Sequence, residues 1–251
     1  MRKYLIAAPA AVGAVAFASV AFGQAASPTH TLSAAVAPKD AGTATKPKPS
    51  SIAFKVVNTP EDRTTAAKLE VFFPKNVRLS TAGFKTCSAE KMNAERTDAG
   101  CPRGSRIGAG AAKAHVGEGG TATNIQFVVR VYAAPKGNIV IWLDDQTLEV
   151  DVAFPGKVTK ASGKFGQKLT INIPAALQQP GPGLFSELDE LGATINAKVR
   201  KNGRVYSVIS TTGCPKNKKW PIQSRLTYNM ERPLAPLKAT STTAIGMPCK
   251  K

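Results

Sequence analysis

From Ser51 onward, apolar and polar residues alternate in short runs separated by clusters of Gly, Pro, Asn and Lys. Successive side chains of a strand point to opposite faces, so this period of two predicts half-buried β-strands rather than helices. Ile52, Phe54 and Val56 alternate with Ala53 and Lys55. Residues 69–73 make a second strand, stopped by Pro74, which lacks the N–H a ladder needs. The small-residue run 107–116 predicts a strand pressed against another backbone. Ile125, Phe127, Val129 and Val131 alternate with polar or smaller neighbours, and residues 135–138 turn the chain. Residues 139–143 return as a strand apolar on both faces, residues 144–147 turn again, and 148–154 alternate once more. Three strands joined by such short turns form an antiparallel meander. Further strands are expected at 169–173, 220–229 and 237–245. A hairpin is expected where Asn202-Gly203 separates 194–200 from 204–210, because both turn residues tolerate positive φ. Helix is expected only at 88–95 and 186–191. The fold class is therefore all-β, an antiparallel β-sandwich, Ig-like or larger.

The N-terminus departs from this pattern. Arg2 and Lys3 precede an uncharged Ala- and Val-rich run that ends among Ala21, Gly23, Ala25 and Ala26. A positive start, an apolar stretch and small residues are what a signal peptidase reads. Residues 1–26 are expected to be a cleaved signal peptide, cut after Gly23 or after Ala25. No second long apolar run follows, so no membrane span is expected after cleavage. Residues 27–50 are mostly Ala, Thr, Ser, Lys and Pro, with few large apolar side chains. Such a segment offers little burial against its ordering entropy, and a disordered lead is expected there. The folded domain is expected over 51–251, with a two-lobed split near 174–183 left open.

Four cysteines, Cys87, Cys101, Cys214 and Cys249, lie in the folded part. An even number in an exported chain points to disulfides and to an extracellular or envelope location. Three pairings exist. Cys87–Cys101 and Cys214–Cys249 are favoured, since each closes a Pro-, Gly- and polar-rich loop, worth roughly 3–4 kcal/mol in the chain-entropy model. The spacing of Cys and His fits no metal site, and no cofactor motif stands out. Gly108-Ala109-Gly110-Ala111-Ala112-Lys113 contains two of the glycines of a phosphate loop but lies in strand-like sequence.

Charge narrows the partners. The formal net charge is +18, and losing Arg2 and Lys3 with the signal leaves +16. Lys198, Arg200, Lys201 and Arg204 cluster around the hairpin, and Lys216, Lys218 and Lys219 precede Trp220. These seven are the candidate anion-binding residues; they read first as a solvated basic surface, with an anionic cell-wall polymer as the candidate partner. Nucleic acid fits poorly, because aromatic residues are only 6% of the chain and single-strand readers interleave them with basic ones. Catalytic residues are not expected. His30 falls in the lead, His115 reads as a surface residue, and no nucleophile elbow is present. The acids Asp144, Asp145, Glu149, Asp151, Glu187, Asp189 and Glu190 read as turn and solvated-face residues. The expected function is an exported, non-enzymatic binding or structural protein of the cell envelope. The alternative is an extracellular, glycosidase-like hydrolase using the carboxylates of 144–151.

Short motifs carry one resemblance. Phe84-Lys85-Thr86-Cys87-Ser88, Cys101-Pro102-Arg103-Gly104-Ser105-Arg106-Ile107-Gly108, Gly213-Cys214-Pro215, Trp220, Leu226-Thr227-Tyr228 and Pro248-Cys249 resemble elements of exported β-sandwich proteins of high-GC Gram-positive bacteria. The resemblance covers most of residues 51–249 and implies a fold and a compartment, but no activity.

Overall fold

The computed structural model describes residues 28–59, 64–117, 122–145, 151–230 and 237–251. The expected signal peptide and Glu149 lie outside the described residues. Among the described residues there are fifteen strands: β1 (Thr29–Ala37), β2 (Lys48–Thr59), β3 (Thr64–Pro74), β4 (Val77–Leu79), β5 (Arg106–Val116), β6 (Thr123–Ala133), β7 (Ile139–Asp145), β8 (Val152–Lys160), β9 (Phe165–Asn172), β10 (Ser186–Ile195), β11 (Lys198–Lys201), β12 (Arg204–Ser207), β13 (Ile209–Thr211), β14 (Lys219–Met230) and β15 (Leu237–Pro248). Two short helices, α1 (Ala89–Glu95) and α2 (Ala175–Gln178), complete the elements.

Thirteen strands form one antiparallel sheet in the order β15-β14-β3-β9-β8-β7-β6-β5-β10-β2-β13-β4, with β1 paired to β2. The sheet folds on itself, so that β3 and β10 pack across the core as the two layers of a sandwich do. Its edges meet. Strand β1 lies alongside β15, with Thr243 Oγ1 donating to the His30 carbonyl at 2.7 Å. Farther along, Lys250 N donates to Lys39 O and Ala41 N to Lys250 O, both at 2.9 Å. Eleven strands thus ring one interior, and the expected all-β sandwich is present as a single rolled sheet.

The period-two reading held for most strands because inward positions meet one core. In β14, Trp220, Ile222, Ser224, Leu226, Tyr228 and Met230 are all buried, alternating with partly exposed neighbours. Strand β7 is buried on both faces for a separate reason. Its outer side, with Trp142 and Val140, is covered by the excursion between β4 and β5, through Met92 of α1 and Cys87. Ser88 caps α1, its hydroxyl accepting from Lys91 N at 3.2 Å. The run of small residues in β5 lies against β10 as anticipated. A methyl on Gly108 would come within 2.5 Å of the Thr194 carbonyl. Both favoured disulfides are formed, Cys87–Cys101 and Cys214–Cys249, with Cα atoms 5.4 and 5.8 Å apart. They fit an oxidising environment. Among the described residues no helix is long and apolar enough to cross a membrane.

Three expectations are corrected, and the two-lobed alternative left open finds no support. Residues 29–37 and 48–50 are strand, not disordered lead, so the ordered chain starts before Ser51. Leu32, Ala34 and Val36 face the core at alternate positions opposite Val56, Phe54 and Ile52. Pairing with β2 supplies the burial that their composition alone did not promise. Residues 186–191 are strand, because Leu188 and Leu191 face Ala114 and Ala112 across the β5 ladder and tertiary pairing overrides a short helical preference. Asp144 and Asp145 belong to β7 rather than to a turn. Residues 174–183, which contain α2, do not separate two lobes, since β9 and β10 belong to the same sheet.

Candidate functional site

Because the ring is antiparallel, its turns collect at two ends. One end holds the β1–β2, β3–β4, β6–β7 and β8–β9 turns, the β11–β12 hairpin and the Cys214–Cys249 disulfide. Its turns expose Lys39, Lys46, Lys75, Lys136, Lys164, Lys250 and Lys251. The seven predicted anion-binding residues, Lys198, Arg200, Lys201, Arg204, Lys216, Lys218 and Lys219, are all exposed at this same end. The hairpin does not hold its charges on one face. Lys198 and Arg200 stand opposite Ser207 and Val205, whereas Lys201 pairs with Arg204 on the other side of the pleat. Asn202 and Gly203 take φ of 50° and 72°, as a tight hairpin turn requires. Among these turns Asp40 is the one carboxylate, and it meets Lys48 at 3.6 Å.

Among the described residues, the acids toward the other end are held by basic partners. Glu187 lies directly across from His115 in the β5–β10 ladder. His115 Nε2 is 3.2 Å from Glu187, which is buried, and its Nδ1 is 2.9 Å from Asp189. The histidine expected on an open surface is thus held between two carboxylates. Glu190 pairs with Lys55 at 2.8 Å. Arg130 reaches Asp144 at 2.8 Å and Asp98 at 3.3 Å, and Tyr132 donates its hydroxyl to Asp98. Burial, then that bond to Asp98, pushes the Tyr132 phenol up. Asp151 is raised above the usual carboxylate range by burial first and by the charge of Asp144 second. Of the acids singled out at 144–151, Asp144 therefore sits in a charge-paired cluster in which Arg130 links it to Asp98 of the first disulfide excursion. No group of three or more His, Cys, Asp or Glu among the described residues could hold a metal ion.

Two arrangements escaped the sequence. The first is a basic-aromatic patch on the outer face of β3, β9 and β14. Register puts Phe72 opposite Lys168 and Gln223, and Glu70 opposite Thr170 and Arg225. Lys168 Nζ and the Arg225 guanidinium stand 5.7 and 5.3 Å from the Phe72 ring centre, and Phe165 packs 5.4 Å from it. Glu70 accepts from Lys168 at 2.7 Å. Burial alone would raise its pKa, but that bond and the charges of Lys168, Lys68 and Arg225 outweigh it and hold the carboxyl low. Each strand contributes one or two residues, so no local run reveals the patch. The second is the β1–β15 seam. His30 is buried, with Nε2 2.7 Å from Ser224 Oγ and Nδ1 2.9 Å from Ser241 Oγ. Alternation of His30 with Leu32 and Val36 was the available signal, hidden by the polar composition around it.

Within the ring, a cavity of about 90 Å³ is lined from Ile139 and Ile195 to Ile173 and Leu177 of the α2 side. Its walls are Val, Leu, Ile, Phe and Ala side chains, with Ser186 the sole polar one. No family model, no curated protein and no solved structure matches the chain.

Proposed function

We propose that the chain is exported by residues 1–26 and works as a non-enzymatic binding protein of the cell envelope, adhering through its basic end to an anionic wall polymer. The observation that carries this reading is the gathering of exposed Lys and Arg residues in the turns of one end. Strands of about ten residues place the two ends roughly 33 Å apart. That exceeds the Debye length of about 8 Å at physiological salt, so each end acts on a partner independently of the other. A polyanion meets Lys and Arg in the turns of one end with a single carboxylate among them. Toward the other end the described acids Glu187, Asp189 and Asp144 are engaged by His115 and Arg130. The net charge, +16 without Arg2 and Lys3, favours association, and its placement orients it.

The test is chromatography on an anionic teichoic-acid-type polymer with a salt gradient. The protein should be retained at low salt and released below about 1 M, where the Debye length is about 3 Å. Lys216→Glu with Lys218→Glu changes the basic end. Lys113→Glu with Lys238→Glu makes the same change in net charge on strand faces. The first pair should elute at distinctly lower salt and the second close to the unsubstituted protein. Equal shifts would reduce the effect to net charge, and no retention at any salt would end the adhesion reading.

A further inference from the structure

We propose that the cavity within the ring is a binding site for one slender apolar chain with an uncharged head, such as a long-chain or prenyl alcohol, independently of what the basic end binds. About eight strands make a barrel that side chains can fill, and wider rings enclose space. Here eleven strands surround the interior, and the positions that would have to fill the extra width carry Ala66, Ala112, Ala114 and Ala193. The resulting cavity of about 90 Å³ is lined by carbon, and such cavities stay dry and take apolar guests.

The lining continues from fully buried Ile139 and Ile195 to partly exposed Ile173, Leu177 and Leu188, which places the mouth beside α2. A chain entering there leaves its head at Ser186, whose hydroxyl suits an alcohol. Next to Ser186 stand Glu187 and Asp189, with His115 between them, and Asp145 is buried at the end of β7. Carboxylates in this rim oppose a carboxylate or phosphate head, and the Ser186 hydroxyl offers a hydrogen-bond partner to an uncharged one.

The experiment uses N-phenyl-1-naphthylamine, an uncharged fluorophore that brightens in apolar surroundings, added to the folded protein, then displaced by decanol or by decanoate. Binding should saturate, decanol should displace the probe, and decanoate should be weaker by about tenfold or more. Ala114→Leu fills the cavity from within, and Leu177→Asp places a charge at the mouth on a partly exposed residue that the fold tolerates. Each should weaken probe binding by about tenfold or more, with the circular dichroism of the unsubstituted protein retained. Absence of saturable binding overturns the site, as does binding by both variants at the original strength. Equal displacement by decanoate overturns the uncharged head.

Discussion

Toward the β1–β2 and β8–β9 turns, the ring turns Trp220, Phe73, Ile52 and Ile107 inward, all fully buried. Toward α2, the same sheet turns Ala66, Ala112 and Ala114 inward, beside a cavity of about 90 Å³. The first half also carries the disulfide that ties Cys214 to Cys249, and the Trp220 indole N–H donates to the Gly213 carbonyl beside it at 2.8 Å. An unfilled apolar space of this size costs on the order of 2 kcal/mol at about 24 cal/mol per Å³. A chain selected only for stability would have closed it with larger side chains. The difference between the halves separates two tasks: one end supplies the stability, and the other keeps space that stability alone does not call for.

The largest effect that would break this division is loss of the plug. Trp220→Ala should lower unfolding free energy in urea by about 3–5 kcal/mol, through lost burial and an orphaned Gly213 carbonyl. Leu177→Ala at the mouth should cost less than about 1 kcal/mol, because that side chain is already partly exposed. Comparable losses would mean that both ends carry stability alike.

Next come the cross-links. Replacing Cys214 and Cys249 together by Ser should cost about 4 kcal/mol in the chain-entropy model, and replacing Cys87 and Cys101 about 3 kcal/mol. Their loops span 35 and 14 residues, which sets that order. The two losses should also differ in place. The Cys214–Cys249 variant should loosen amide protection in β14 and β15 at the plugged end. The Cys87–Cys101 variant should loosen α1 and the outer face of β7, where Trp142 lies. The reverse order or pattern would remove the second disulfide from its role as anchor.

The same contrast explains what could be read in the chain. The strands of the meander, the Asn202-Gly203 hairpin and both disulfides were legible, because alternation, turn chemistry and loop closure are local signals. β1 was not. Its inward residues are short, its burial comes from β2 and from Ser224 and Ser241 far along the chain, and a composition argument sees none of these. The seven basic residues were found as local runs, but their gathering with Lys39 and Lys250 at one end needs the ring to close. The Phe72 patch and the cavity arise only across strands. Phe72 and Arg225 are far apart in sequence, and Ala114 reads as a poor strand residue until the width of the ring gives it a purpose.

The smallest effect lies in pH, and it sharpens the comparison because its group sits on the seam. Burial of His30 lowers its pKa below the ordinary 6.5, against a smaller raising contribution from its bond at Ser224. Between the folded value and 6.5 the unfolded chain binds more protons than the folded one, so stability rises with pH across that window. The contribution is complete above 6.5 and is lost as pH falls below it. Glu70, on the outer face, behaves separately. Its pKa is held below the ordinary 4.5, so its contribution is present above 4.5 and is lost only as pH falls below that value. Lowering pH from 7 to 5.5 should therefore loosen β1 against β15 while the Glu70 pairing with Lys168 stays intact. Amide exchange corrected for its intrinsic pH dependence should show protection falling in β1 before it falls around Trp220. His30→Gln, which keeps a donor and an acceptor but does not titrate, should flatten this response and leave the acid limb below 4.5 in place. If β1 in the His30→Gln protein still loosens between pH 7 and 5.5, another group holds the seam's proton dependence.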